Sequence, residues 1–120
     1  GLRVMAFQNA LKFLPPAYAD AINKTSSYLE VVEQHQLPAL LLKNRVDVLV
    51  MDRNIFWHYY RLTAPDDRSL KVLSLFQPNH YHMLARTPEV AERFNKALME
   101  VKQSELFSQL QLKYFTELSQ

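Results

Sequence analysis

The stretch that decides the fold lies at residues 46–60 and reads VDVLVMDRNIFWHYY. Its first part, residues 46–51, is almost continuously apolar, which is typical of a central parallel strand covered on both faces. Asp52 follows directly, and an aromatic-rich segment comes next. A carboxylate at the tip of a core strand has three explanations that stay open: a phosphate acceptor, a ligand clamp, or a cap for a helix that begins near Asn54.

Outward from this stretch, short apolar runs alternate with short helical patterns. We predict strands at residues 2–7, 28–33, 46–51, 70–76 and 80–86. We predict helices at residues 16–23, 36–43 and 55–61, a first turn near residues 11–14, and two C-terminal helices after Thr87 and after Ser104. Asn44 suits a left-handed helix C-cap, and Asp47 is expected to tie the turn before the third strand.

Composition limits the function classes. The 120 residues suffice for one domain with a single core, and 48% hydrophobic with 22% charged residues is ordinary for a globular protein. The net charge is +2 and the basic residues are scattered, so no nucleic-acid or anionic-membrane partner is indicated. The absence of cysteine excludes disulfides and thiolate metal sites. No signal peptide is recognisable; if the protein is exported, that segment lies outside these residues.

The order of elements is βαβαβ(α), a polar linker at residues 63–69, then ββ and αα. This order predicts an α/β fold with a mostly parallel βαβαβ sheet and a C-terminal helical segment. Ligands of such sheets bind beyond the carboxyl ends of the strands. Asp52 follows one such end, and Gln8 and Asn9 follow another.

One resemblance is to a response-regulator receiver domain, in which Asp52 would be the phosphoacceptor. The length, the α/β order and the Asp after the third strand agree with that family. Phosphoryl transfer to Asp needs Mg²⁺ and its oxygen ligands. The receiver family supplies an acidic pair at the end of its first strand, where this chain reads Ala6-Phe7-Gln8-Asn9. The receiver remains the alternative interpretation.

A second resemblance covers nearly the whole chain and rests on two motifs. Residues 41–52, LLKNRVDVLVMD, are similar to a pattern ll.GrvDavv.D, and residues 104–115, SELFSQLQLKYF, follow a Pro-Glu helix as in S.lf..l..kyf. Both patterns are typical of periplasmic solute-binding proteins of family 3, the type II class that serves amino-acid ABC transporters.

This resemblance implies a periplasmic-binding-protein-like type II lobe. Residues 1–69 would be lobe 2, and residues 70–120 would be the hinge return and the C-terminal helices of lobe 1, whose N-terminal part lies outside these residues. The expected function is substrate binding for an ABC-type transporter, by hinge closure on a small polar, amino-acid-like solute, with a membrane permease as partner. An extracytoplasmic sensor domain of a receptor uses the same module. The resemblance implies a periplasmic location, no enzymatic activity and no cofactor.

The resemblance also implies ligand-binding residues. The Asp that matches Asp52 pairs with the α-ammonium of an amino acid. The turn that matches Gln8, Asn9, Ala10 and Leu11 usually reads Gln-Gly-Thr-Thr and holds the ligand carboxylate. Gln8 matches this turn, whereas the next three residues do not, which leaves backbone N–H groups as donors for an anion.

Other features favour structural roles. The aromatic residues after Asp52 are expected to pack in a core or at a hinge, with ligand stacking as the alternative. His80 and His82 alternate on a predicted strand, but no third ligand is near them in sequence, so no metal site is predicted. No catalytic motif is recognisable. The C-terminal helices carry apolar stripes, from which we expect a homodimer or a domain swap.

Overall fold

A computed structural model describes residues 1–63 and 70–115 of the chain. Most of the predicted linker, residues 64–69, lies outside the described residues. The described residues divide into two compact units, one within Gly1–Val72 and the other within Leu73–Thr116. Each unit is described by itself below.

The first unit is a three-stranded parallel sheet with four helices. The strands are β1 (Arg3–Phe7), β2 (Ser27–Val31) and β3 (Val48–Val50). The helices are α1 (Ala10–Phe13), α2 (Pro16–Ile22), α3 (Leu37–Leu42), which follows a 3₁₀ turn at Gln34–Gln36, and α4 (Arg53–Leu62). The sheet order is β2-β1-β3, and both outer strands run parallel to β1. The predicted α/β class with a parallel sheet is therefore confirmed.

The register of the sheet fixes which side chains share a face. Ala6 of β1 is paired with Glu30 of β2 and with Val50 of β3. On this face Ala6 and Ala10 are fully buried and form a core cluster with Tyr18 of α2. Since alanine has almost no side chain, the α1–α2 segment can approach the sheet closely here.

The opposite face packs against α4. Phe56, Trp57 and Tyr60 form a second core cluster, and the partly buried residues packed against it are Leu41, Leu42, Leu49, Met51 and Leu70. Successive residues of a strand point to opposite faces, so Val50 joins the first cluster and Leu49 the second. Strand β3 is thus covered on both faces, as its apolar run predicts.

The element boundaries differ modestly from the predicted ones. Strand β3 is shorter than residues 46–51 because only Val48–Val50 pair with β1. The C-cap prediction at Asn44 is confirmed, since its φ of 54° is left-handed. The adjacent N–H of Arg45 donates to the carbonyl of Leu40 at 2.9 Å, which satisfies an otherwise unpaired group of the last helical turn.

The predicted strands at residues 70–76 and 80–86 are wrong, because these residues form no strand in the structure. Their composition favours extended backbone, but a strand needs a partner to take its N–H and C=O groups. No described segment pairs with them. The apolar pattern of these residues predicts a sheet that does not form, and the residues are not helical either.

The second unit contains the two predicted C-terminal helices, α5 (Pro88–Lys102) and α6 (Glu105–Phe115), which contact each other. Thr87 caps α5, its side-chain oxygen accepting from the N–H of Val90 at 3.4 Å. Helix α5 has no buried residue, and Phe94 exposes 41% of its surface. The expected homodimer or domain swap stays a prediction.

Candidate functional site

The carboxyl ends of the three strands lie at one edge of the sheet. Gln8 and Asp52 each stand two residues beyond the row in which Ala6 and Val50 are paired, so they leave neighbouring strands at the same edge. Because β1 and β3 are parallel, the predicted site residues are brought to a common edge. Glu30 of β2 lies near the same edge, and its carboxylate was not predicted to belong to the site.

Asp52 caps helix α4. Its Oδ1 accepts hydrogen bonds from the backbone N–H groups of Asn54 at 2.7 Å and of Ile55 at 3.0 Å. The predicted cap is therefore confirmed, with α4 beginning at Arg53. The residue is exposed, and within residues 1–63 and 70–115 its Oδ2 accepts no hydrogen bond. One oxygen of the carboxylate thus caps the helix, and the other has no donor among the residues that the structure describes.

The turn between β1 and α1 has an unusual backbone. Asn9 is left-handed, with φ 65° and ψ 21°, a conformation that asparagine tolerates better than most residues. It stands at the N-cap of α1, but its side chain makes no capping hydrogen bond. Gln8 and Leu11 are exposed, whereas Ala10 is fully buried in the first core cluster. Ala10 therefore offers no side chain to a ligand.

Two N–H groups of this turn, those of Asn9 and Leu11, are bound to Glu30. The N–H of Asn9 donates to Oε2 of Glu30 at 2.7 Å, and the N–H of Leu11 donates to Oε1 at 2.9 Å. The Tyr28 hydroxyl donates to the same Oε1 at 2.9 Å. The pKa of Glu30 is lowered, mainly by the hydrogen bond from the Leu11 N–H. The carboxylate therefore stays ionised and bound to the turn at neutral pH.

Two tyrosines support this carboxylate. The Tyr18 hydroxyl donates to the Tyr28 hydroxyl at 3.3 Å, and the two rings meet edge to face with centroids 6.2 Å apart. Burial is the main cause that raises the pKa of both tyrosines, so both hydroxyls keep their protons. Sequence reasoning missed this network. The available signal is the period of two in β2, which places Tyr28 and Glu30 on one face of the strand.

Asp47 lies at the other end of β3 and has a structural role, but its side chain binds Arg3 of β1 and not, as predicted, the turn before β3. Its Oδ2 accepts from Nε of Arg3 at 2.9 Å, and its Oδ1 accepts from Nη2 at 2.7 Å. The backbone N–H of Arg3 also donates to Oδ2 at 2.8 Å. The Arg3 side chain is the main cause that holds the pKa of Asp47 well below its usual range. This bidentate ion pair holds the start of β1 beside the start of β3.

The aromatic residues after Asp52 pack mainly into the core, as expected. Phe56 and Tyr60 stack with centroids 5.3 Å apart, and Trp57 meets Tyr60 edge to face at 5.4 Å. All three are at least nine-tenths buried. Tyr59 is half-buried, with its ring 6.0 Å from that of His35. The three buried residues belong to α4 and anchor this helix in the second core cluster.

Neither a metal-binding cluster nor a membrane-spanning helix is found in the described part of the chain. No three His, Asp or Glu side chains come together there in a metal-binding arrangement. His80 and His82 lie in a segment that forms no strand. None of the helices in residues 1–63 and 70–115 has the length and apolar character needed to cross a bilayer.

The site therefore consists of an exposed carboxylate, Asp52, at the end of β3 and a β1–α1 turn whose donors are bound to Glu30. Comparisons with protein-family models, with curated proteins and with solved structures found no match to this chain.

Proposed function

We propose that this protein is the substrate-binding component of an ABC-type transporter and that it binds a small polar solute through an amine group. The single observation that carries the proposal is the carboxylate of Asp52. It is exposed at the carboxyl edge of a parallel sheet, with Oδ1 in the helix cap and Oδ2 without a hydrogen bond from any described residue. An ammonium group is the ligand group that such an oxygen binds best.

The position of this carboxylate also supports binding. Asp52 is anchored by two N–H groups of α4, and the buried aromatic residues of α4 hold that helix in the core, so the geometry of Asp52 is fixed before a ligand arrives. A preorganised group loses little conformational entropy on binding. The sequence resemblance to solute-binding proteins adds a second lobe that would close over the ligand and a permease that would receive it.

Calorimetric titration with amines and amino acids tests the proposal. Asp52→Asn preserves a capping oxygen but removes the charge, and we expect it to weaken binding about thirtyfold or more, roughly 2 kcal/mol. Asp20→Asn is the matched control, because Asp20 is an exposed carboxylate within α2 and does not follow a strand. Binding that Asp52→Asn leaves unchanged would refute the role of Asp52, and a protein that binds no amine at all would refute the proposed function.

A further inference from the structure

The β1–α1 turn already holds a carboxylate, and that carboxylate belongs to the chain itself. Glu30 takes the N–H of Asn9 with one oxygen and the N–H of Leu11 with the other, at 2.7 and 2.9 Å. A backbone N–H has a single hydrogen, so both donors are committed. Converging N–H groups in a turn are a common binding place for anions. A carboxylate that binds the N–H groups of Asn9 and Leu11 therefore has to displace Glu30.

Displacement is opposed by the contacts that hold Glu30. Its position in β2 is fixed by the pairing with Ala6, and its Oε1 also accepts from the Tyr28 hydroxyl at 2.9 Å. Tyr28 is held in turn by Tyr18, of which only 9% is exposed. The hydrogen bonds from Leu11, Tyr28 and Asn9 keep the carboxyl group ionised, as its lowered pKa indicates. The turn is thus filled by a carboxylate that accepts three hydrogen bonds.

The sheet places this charge on the same edge as Asp52. β2 and β3 flank β1, so Glu30 and the end of β3 are two strand spacings apart, about 10 Å. A second carboxylate brought against Glu30 meets like charge, which disfavours its ionised form. A ligand ammonium gains from both negative charges. This edge of the sheet therefore favours an amine without a carboxylate over a ligand that carries both groups.

We propose that Glu30 is a specificity-determining residue, which closes the β1–α1 turn to a ligand carboxylate and selects an amine that carries none. This inference rests on the proposed function, because it concerns the ligand that Asp52 would bind. The substrate class is then a small cationic amine, in contrast to an α-amino acid.

The first experiment compares each amino acid with its decarboxylated amine: lysine with cadaverine, and arginine with agmatine. By calorimetry we expect the wild-type protein to bind the amine about tenfold or more tightly than the amino acid. Glu30→Ala is expected to reduce that preference. Glu33→Gln removes a charge close by in sequence whose carboxylate accepts a hydrogen bond from Gln36 at 2.9 Å, and is expected to leave the preference unchanged. Equal or tighter binding of the amino acid by the wild type, through Arg53 or any other group, overturns the inference.

The second experiment needs no knowledge of the ligand. Sodium acetate is titrated into ¹⁵N-labelled protein while the amide resonances of Asn9 and Leu11 are followed. We expect no saturable shift in the wild type and a saturable shift of both in Glu30→Ala. A saturable shift in the wild type overturns the inference, even if the variant does not fold. If acetate behaves as expected but no amine or amino acid binds either protein, the proposed function fails and the closure of the turn by Glu30 stands.

Discussion

The two roles of Asp52 can be separated by replacing it with asparagine and with alanine. Its Oδ1 accepts two N–H groups at the start of α4, at 2.7 and 3.0 Å, and alanine leaves both without a protein partner. Loss of such a cap costs about 1 kcal/mol. The loss stays near that value because Arg53 and Asn54 are exposed, so fraying of the first turn uncovers little apolar surface. The buried aromatic cluster begins only at Phe56.

Asparagine keeps the capping oxygen and loses only the charge near the helix N-terminus, worth about 0.3–1 kcal/mol. In urea unfolding followed by circular dichroism, we expect Asp52→Ala to lower the midpoint by about 1 M and Asp52→Asn by a smaller amount, at an unchanged slope, because alanine loses the cap as well as the charge. Arg53→Ala is the control, because it alters an exposed residue of the same turn without removing the cap. Equal losses of stability for alanine and asparagine would refute the capping argument.

Three further predictions concern stability. Leu37→Ala, at a position that is 1% exposed, should lower the free energy of unfolding by about 2–5 kcal/mol, whereas Leu62→Ala, at 71% exposed, should change it by about 0.5 kcal/mol or less, both measured by urea unfolding. Asn44→Ala should cost about 1–2 kcal/mol because of its left-handed backbone, whereas Asn44→Gly should be almost neutral in the same assay; equal losses would contradict this reason. The Arg3 contact lowers the pKa of Asp47 below that of an aspartate in the unfolded chain. The ion pair should therefore stabilise the folded state fully above a pH of about 4, and this stabilisation should be lost as the pH falls further. In a pH series of unfolding curves, the free energy of unfolding of Asp47→Asn should fall less steeply below a pH of about 4 than that of the wild type. An identical pH dependence of the two proteins would refute the contribution of the ion pair.

Much of the first unit was predictable because its signals are local. The run at residues 46–51 is apolar on both faces and proved to be covered on both faces. The left-handed conformation of Asn44 and the cap formed by Asp52 each depend on a few neighbouring residues. The failure at residues 70–76 has a non-local cause. Strand propensity is present there, but pairing depends on a second segment that the described chain does not provide.

The candidate site was predictable only in part, for a related reason. Position at a strand end follows from the order of elements, so the location of Asp52 and Gln8 after β3 and β1 was predictable. Whether a backbone donor is free depends on the whole fold. Glu30 is 21 residues from Asn9 and 19 from Leu11, and no short motif connects them. The register of β2 against β1 brings the carboxylate to the turn, and register is set by tertiary packing.

The sheet order has a consequence for the folding pathway. Strand β1 precedes both of its partners in the chain and is the only strand to which either is bonded in the described sheet. β2 and β3 therefore have no partner in this sheet unless β1 is available. The pairing of β1 with β3 cannot be completed until the chain has been synthesised as far as Val50. Contacts between segments so far apart in sequence form slowly, because the entropy of loop closure is lost first. We infer that one edge of β1 stays unpaired until β3 has been made, so capture of β1 by a chaperone or by misfolded neighbours during that interval would stop the whole sheet from forming.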